Sequence, residues 1–293
     1  MKKQYNIILF LIFLSNIVFA QVSEQLPLFL NGIPNNPVKY DSGERTVDSV
    51  VSTLSLSKQN RVISNISEPT YSLYTAATSN NKHIGVVIFP GGGLVDVWLD
   101  KEGTDLALWL SSKGISCMVV KYRTNIKDNN RKFKIDFGDY KGAIYQDART
   151  AILKMKSISD SLEIDKDKIG LLGFSAGGWL SERIAFKSLE GEFDWKPAFV
   201  GLIYHGDNLK AYKQLKNKQS LPPFFMAVAR DDKKLPLTEV IPFLSAIALE
   251  VDRSELHIYS KGDHGFGLGY DKGYSVETWK NSFYNWLLDI NAK

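Results

Sequence analysis

The chain has 293 residues, 44% of them hydrophobic and 23% charged. That composition excludes a disordered or fibrous protein, and one α/β domain can occupy the whole length. A net charge of +4 gives no case for nucleic acid or an anionic surface as partner.

At the N-terminus, Lys2 and Lys3 precede an apolar run from Ile7 to Leu14, and Val18-Phe19-Ala20 ends the segment in the pattern of a cleavage site. This predicts a secretory signal over residues 1–20. A membrane anchor is the alternative, but the run is short for a span and Ser15 and Asn16 interrupt it. Cleavage removes two lysines and no acid, taking the net charge from +4 to +2. The mature chain is therefore expected to be secreted or periplasmic, with no stable membrane insertion. Residues 21–68 read as an extended lead-in, rich in Pro, Asn, Asp and Gly at first, to a single folded domain over 21–293.

Strand-like and helix-like runs then alternate. Tyr71 to Tyr74 alternates as a half-buried strand does. Ile84 to Phe89 is a continuous β-branched and aromatic run, as a strand covered on both faces requires. Pro90-Gly91-Gly92-Gly93 follows directly. A glycine run there lets the backbone approach a ligand with no Cβ in the way. It lacks the Lys-Ser/Thr of a phosphate-binding loop. Residues 102–112 have helical spacing and Ile115 to Val120 is the next buried strand. That strand holds Cys117, the sole cysteine, so no internal disulfide can form and a buried, inert thiol is expected. After a polar, basic stretch at 124–138, residues 140–155 read as a helix.

Lys168 to Leu172 reads as another strand, and Gly173-Phe174-Ser175-Ala176-Gly177 joins it to a helix starting at Ala176. A G-x-S-x-G between strand and helix is the nucleophile elbow, a turn so tight that the flanking positions must lack bulk. Ser175 would stand exposed at the sheet rim. The Ala176 amide, at the helix N-terminus, would face the same space, where the helix dipole favours an oxyanion. In that context Gly92 and Gly93 become the remaining candidate oxyanion donors.

A serine hydroxyl needs a base to accept its proton, and chain order demands Ser, then an acid, then His. Residues 199–204 and 224–228 are further strands, and the second runs into Asp231-Asp232. Either carboxylate can orient a histidine; Asp232, four before Pro236, fits the D-x-x-V-P spacing, and Asp231 is the alternative. The spare carboxylate would cap the next helix, patterned over 236–249, or pair with a lysine. Of the four histidines, His83 and His205 precede the acid and His257 lies inside the strand 256–259. His264 lies in the glycine-rich loop just after that strand and is the predicted base. Asp263 reads as a turn residue, and a last helix covers 275–288.

Buried strands alternating with helices predict a mostly parallel central sheet covered on both faces, with functional residues at the carboxyl ends of the strands. Taken together, Pro90 to Gly93, Glu102-Gly103, Lys121-Tyr122-Arg123, Asp147-Ala148-Arg149, the Ser175 elbow, Asp231-Asp232 and His264-Gly265-Phe266 resemble the acetyl esterase/lipase branch of the α/β-hydrolases. That branch includes acetylxylan-esterase-like and feruloyl-esterase-like carbohydrate esterases. The resemblance, from about Pro69 onward, implies an α/β-hydrolase fold without a large cap and a serine esterase acting on short acyl groups of a small-molecule or polysaccharide ester. It implies no cofactor and no metal. Tyr122-Arg123, Glu102 and Asp147 would brace loops around the site. The sequence departs from the group at Leu94, where tyrosine is frequent, and in the stretch 124–138. Trp98, Trp179, Trp195 and Tyr270 are candidate stacking surfaces for sugars, with burial in the core as the alternative for each. A peptidase, a longer-chain lipase or a non-catalytic carbohydrate-binding homologue are the competing readings.

Overall fold

A computed structural model describes residues 23–34, 36, 43–125, 137–191, 195–270 and 272–292, with only the backbone described at 137–141. The signal expected at 1–20 and most of the stretch 124–138 lie outside the described residues. Eleven described strands run in order: β1 (Leu26–Pro27), β2 (Arg45–Asp48), β3 (Arg61–Ser64), β4 (Thr70–Tyr74), β5 (Ile84–Phe89), β6 (Asp96–Trp98), β7 (Ile115–Lys121), β8 (Ile169–Phe174), β9 (Val200–Ile203), β10 (Phe224–Ala229) and β11 (Glu255–Tyr259). The α-helices are α1 (Asp105–Ser112), α2 (Phe137–Ile158), α3 (Ala176–Leu189), α4 (Leu209–Gln214), α5 (Leu237–Glu250) and α6 (Trp279–Asn291).

Eight strands form one sheet in the order β1-β4-β7-β5-β8-β9-β10-β11. From β7 to β11 every pairing is parallel, while β4 and β1 join antiparallel at one side. The unbroken apolar sequences of β5, β7, β8 and β10 are what such central strands need, because both faces are covered and none of their residues is exposed. Side-chain alternation then divides the core in two. Phe224, Met226 and Val228 of β10 pack with Val240, Phe243 and Leu244 of α5. Phe225, between them, points the other way, 5.3 Å from Phe283 and 5.6 Å from Trp286 of α6 (ring centroids). Helix α1 lies with α6, joined by the edge-on contact of Trp109 and Tyr284.

The lead-in carries more structure than its composition suggested. Residues 26–27 pair with β4, and β2, β3 and β6 form a separate antiparallel sheet of three strands. Four-residue and three-residue strands of mixed polarity show too little periodicity to stand out in sequence. Arg61 anchors this small sheet to the domain through Asp100: Nε and Nη2 donate to the carboxylate at 2.9 and 2.7 Å, and the Arg61 amide donates at 2.7 Å.

All the parallel strands end at one rim. The Ser175 turn follows β8, the glycine run follows β5, Tyr204 follows β9, Asp231 and Asp232 follow β10, and the His264 loop follows β11. Backbone bonds extend the ladder beyond the strand ends, with the Ser175 amide on the Ile203 carbonyl and the Arg230 amide on the Tyr259 carbonyl.

Candidate active site

Ser175 sits at φ +49° and ψ −115°, a conformation L-residues avoid at a cost of about 1–3 kcal/mol. The surrounding glycines make the turn possible. A Cβ on Gly173 would lie 2.1 Å from the Gly177 carbonyl oxygen, and one on Gly177 would lie 1.9 Å from that of Phe89. Helix α3 therefore starts close against the end of β5, and the Ser175 hydroxyl is thrust out at the rim.

The Ser175 Oγ lies 3.0 Å from Nε2 of His264. The other ring nitrogen, Nδ1, lies 2.8 Å from Oδ2 of Asp232. The second Asp232 oxygen, Oδ1, accepts the amides of Lys234 and Leu235 at 2.9 and 2.8 Å. Those two donors lock the carboxylate plane, so only Oδ2 is left to face the imidazole. Asp232 is buried, while the His264 ring stays partly open to solvent.

Asp231 does something different from the two roles sequence suggested for a spare carboxylate. It neither caps α5 nor pairs with a lysine in a described contact. Its Oδ1 accepts the amides of Gly262 and Asp263, both at 2.8 Å, and so pins the loop that carries His264. Asp263 is a turn residue, at φ +58°, with its carboxylate accepting the His264 amide.

The glycine run lies against Ser175: a Cβ on Gly91 would sit 3.0 Å from the Ser175 Cβ. The Gly91 amide is occupied, donating to Oε2 of Glu102 at 2.7 Å. The amides of Gly92, Gly93 and Ala176 donate to no described protein acceptor. Gly92 has φ +137°, and a Cβ there would collide with the Asp96 carbonyl oxygen at 2.0 Å. Tyr122 supports the run from below, its hydroxyl donating to the Pro90 carbonyl at 2.6 Å. Arg123, next along, is fully buried and binds Asp147 through its amide, Nε and Nη2.

Glu102 and Tyr204 tie these parts together. Glu102 is buried, and its carboxylate accepts from the Gly91 amide and interacts with the Tyr204 hydroxyl. Burial pushes the Glu102 pKa up, and the Tyr204 hydroxyl and the Gly91 amide oppose that shift. Tyr204 in turn accepts the Gly267 amide at 3.3 Å and packs edge-on to His264, ring centroids 5.1 Å apart. One carboxylate thus links the glycine run to the tyrosine that holds the histidine ring. Sequence reading placed Glu102 among the braces but passed over Tyr204. Its position directly after β9 was the available signal.

The remaining histidines are occupied elsewhere. His83 Nδ1 meets the Glu163 carbonyl, His205 Nε2 lies 2.8 Å from buried Glu182, and His257 Nε2 lies 2.8 Å from Glu255. Cys117 is buried, and burial raises its thiol pKa. Among the described residues no group of three His, Cys, Asp or Glu side chains is placed to hold a metal ion, and no helix is long and apolar enough to cross a membrane.

The sequence profile of the dienelactone hydrolase family matches residues 73–287, which hold every residue named in this arrangement. The chain belongs to the dienelactone hydrolase family. This family member is 28% identical over 238 residues to an acetylxylan esterase of Xylanibacter ruminicola. That match takes in 71% of this chain and 46% of the relative, so the chain spans less than half the length of the protein it resembles. Among solved structures, the acetyl ester-xyloside bifunctional hydrolase of Caldicellulosiruptor lactoaceticus superposes with a TM-score of 0.64 at 23% identity, over 91% of this chain and 96% of that one. An α/β hydrolase from a Medee basin deep-sea metagenome library gives 0.57 at 23% identity, covering 85% and 98%. A butyrate-bound esterase of Thermogutta terrifontis gives 0.59 at 18% identity, covering 78% and 91%. The fold of this dienelactone hydrolase family member is thus that of the α/β-hydrolases, with a mostly parallel central sheet and, among the described residues, no large cap.

Proposed function

We propose that the protein is a serine ester hydrolase that removes short acyl groups, acetyl foremost, from carbohydrate. One observation carries the reading: hydroxyl, imidazole and carboxylate stand in line, with 3.0 Å between Ser175 Oγ and His264 Nε2 and 2.8 Å between His264 Nδ1 and Asp232 Oδ2. In the proposed reaction His264 takes the proton as Ser175 Oγ attacks the ester carbonyl. Asp232 holds the ring in the tautomer with Nδ1 protonated and stabilises the imidazolium that forms. The carbonyl oxygen gains the negative charge, and the amides of Gly92, Gly93 and Ala176 are the donors proposed to receive it. His264 then returns the proton to the departing alcohol, leaving an acyl-serine. Water, deprotonated by the same imidazole, attacks that ester and frees the acid. Each proton taken up is given back, so no cofactor or metal is needed for the balance.

The acetyl and carbohydrate parts rest on two relatives, one named for acetylxylan and one for an acetyl ester and a xyloside. Export, cleavage after Ala20 and a single catalytic domain over 21–293 rest on the sequence pattern. The test is a series of 4-nitrophenyl esters from acetate to octanoate, with acid release from acetylated xylan measured alongside. Fastest turnover on acetate, with acetate freed from xylan, fits the proposal. A rate that climbs with chain length would favour a lipase, and turnover only on peptide amides a peptidase. No turnover of any ester would favour the non-catalytic homologue.

A further inference from the structure

The small sheet β2-β3-β6 takes no part in the relay, yet it grows directly from the glycine run. The Gly92 carbonyl accepts the amides of Val95 and Asp96 at 3.2 and 3.0 Å, and the Gly91 carbonyl accepts the Trp98 amide at 3.1 Å. Trp98 is therefore one hydrogen bond away from the peptide that lies against Ser175. The register sorts the three strands into two faces. Ile63 and Val97, paired with each other, turn into the core. The opposite face carries two cross-strand rows: Val47, Val62 and Trp98 in one, and Arg45, Ser64 and Asp96 in the other. These six residues line a depression of about 460 Å³.

We propose that this outward face is the platform on which the sugar chain of the substrate lies, which rests on the carbohydrate-ester reading above. An apolar row ending in an indole suits the C–H face of a pyranose ring, and a neighbouring row of guanidinium, hydroxyl and carboxylate suits its hydroxyls. Lys101 Nζ, 5.5 Å from the Trp98 ring centroid, holds the indole in place. The depression has the size of a ligand site for several sugar units and far exceeds an acetyl group. Its charges, Arg45 against Asp48 and Asp96, are mixed, which suits a neutral chain better than a uronic acid polymer. The polar row also makes it a poor channel for an acyl tail. The glycine run then ties the platform to the reacting ester, so a chain seated on Trp98 presents its acyl group toward Ser175.

The test compares kcat/KM on acetylated xylo-oligosaccharide with kcat/KM on 4-nitrophenyl acetate in Trp98→Ala and, separately, Arg45→Ala. The expected result is a fall of roughly fivefold to tenfold in the ratio of the two, through KM, for Trp98→Ala, and a fall of about threefold for Arg45→Ala. Arg45 is on an exposed strand, so its variant keeps the test open if Trp98→Ala fails to fold. A ratio unchanged in a folded variant, or equal losses on both substrates, overturns the platform. Calorimetry separates this from the enzymatic reading. Ser175→Ala should bind deacetylated xylo-oligosaccharide, and the double variant with Trp98→Ala should not. If wild type releases no acetate yet Ser175→Ala binds the sugar through Trp98, the platform stands and the esterase reading falls. If Ser175→Ala binds no xylo-, gluco- or manno-oligosaccharide, the platform falls whatever the esterase activity.

Discussion

Replacing Asp232 by asparagine tests the relay with little change of shape. Oδ1 of Asp232 accepts two backbone amides, from Lys234 and Leu235. Asparagine can satisfy both only with its carbonyl oxygen in that place, because its NH2 group has no lone pair to offer. The NH2 group must then face His264 across the 2.8 Å gap that Oδ2 now spans. It donates to Nδ1, so the neutral ring must carry its proton on Nε2 instead. Nε2, 3.0 Å from the Ser175 hydroxyl, then presents a proton where a lone pair is needed. Loss of the base in this manner costs about 10⁴ in kcat, or about 5 kcal/mol of transition-state stabilisation. Asp231→Asn is the matched control. Its amide oxygen can still accept from Gly262 and Asp263, so kcat should stay within about threefold of wild type. Both variants would be assayed on 4-nitrophenyl acetate with near-wild-type melting verified first. A folded Asp232→Asn enzyme within about tenfold of wild type, or a larger loss in Asp231→Asn, refutes the assignment of the acid.

Other expectations follow from the same contacts. Ser175→Ala should abolish ester turnover and should not acquire the mass of a phosphonate inhibitor that labels wild type; inhibitor mass added elsewhere in the variant counts against Ser175 as nucleophile. Gly177→Ala puts a methyl group 1.9 Å from the Phe89 carbonyl oxygen, a backbone clash, and the variant should be insoluble or should melt far below wild type in a thermal scan. Arg123→Ala leaves Asp147 buried without its cation and should cost about 3–5 kcal/mol in urea unfolding, whereas a loss under about 1 kcal/mol would make this ion pair dispensable. Glu102→Gln tests the sign of a pKa shift. Burial raises the folded-state pKa of Glu102 above its ordinary 4.5, so the folded state holds the proton more tightly. The stabilising contribution is complete below that ordinary value and is lost as pH rises through the folded value. Glutamine has no such loss, so the stability of Glu102→Gln relative to wild type should increase as pH rises from about 4 to about 8, read as the difference in Tm.

Much of the molecule was legible in the sequence because local rules act there. A strand covered on both faces must be apolar throughout, so β5, β7 and β8 announce themselves. An elbow that places Gly177 against the β5 carbonyl tolerates no side chain, so its glycines are as readable as its serine. Chain order and a loop after a strand singled out His264 among four histidines, and it is the one whose ring lies 3.0 Å from the Ser175 hydroxyl. Three things were decided only when distant segments met. Two adjacent carboxylates on one turn look alike in sequence, and what separates them is direction: Asp232 turns toward the imidazole and Asp231 toward the loop beneath it. Tyr204 joins the site because the end of β9 lies beside the His264 loop and Glu102. The sheet β2-β3-β6 exists because strands too short to signal themselves find partners up to 36 residues away, and pairing energy between remote segments leaves no period in the chain.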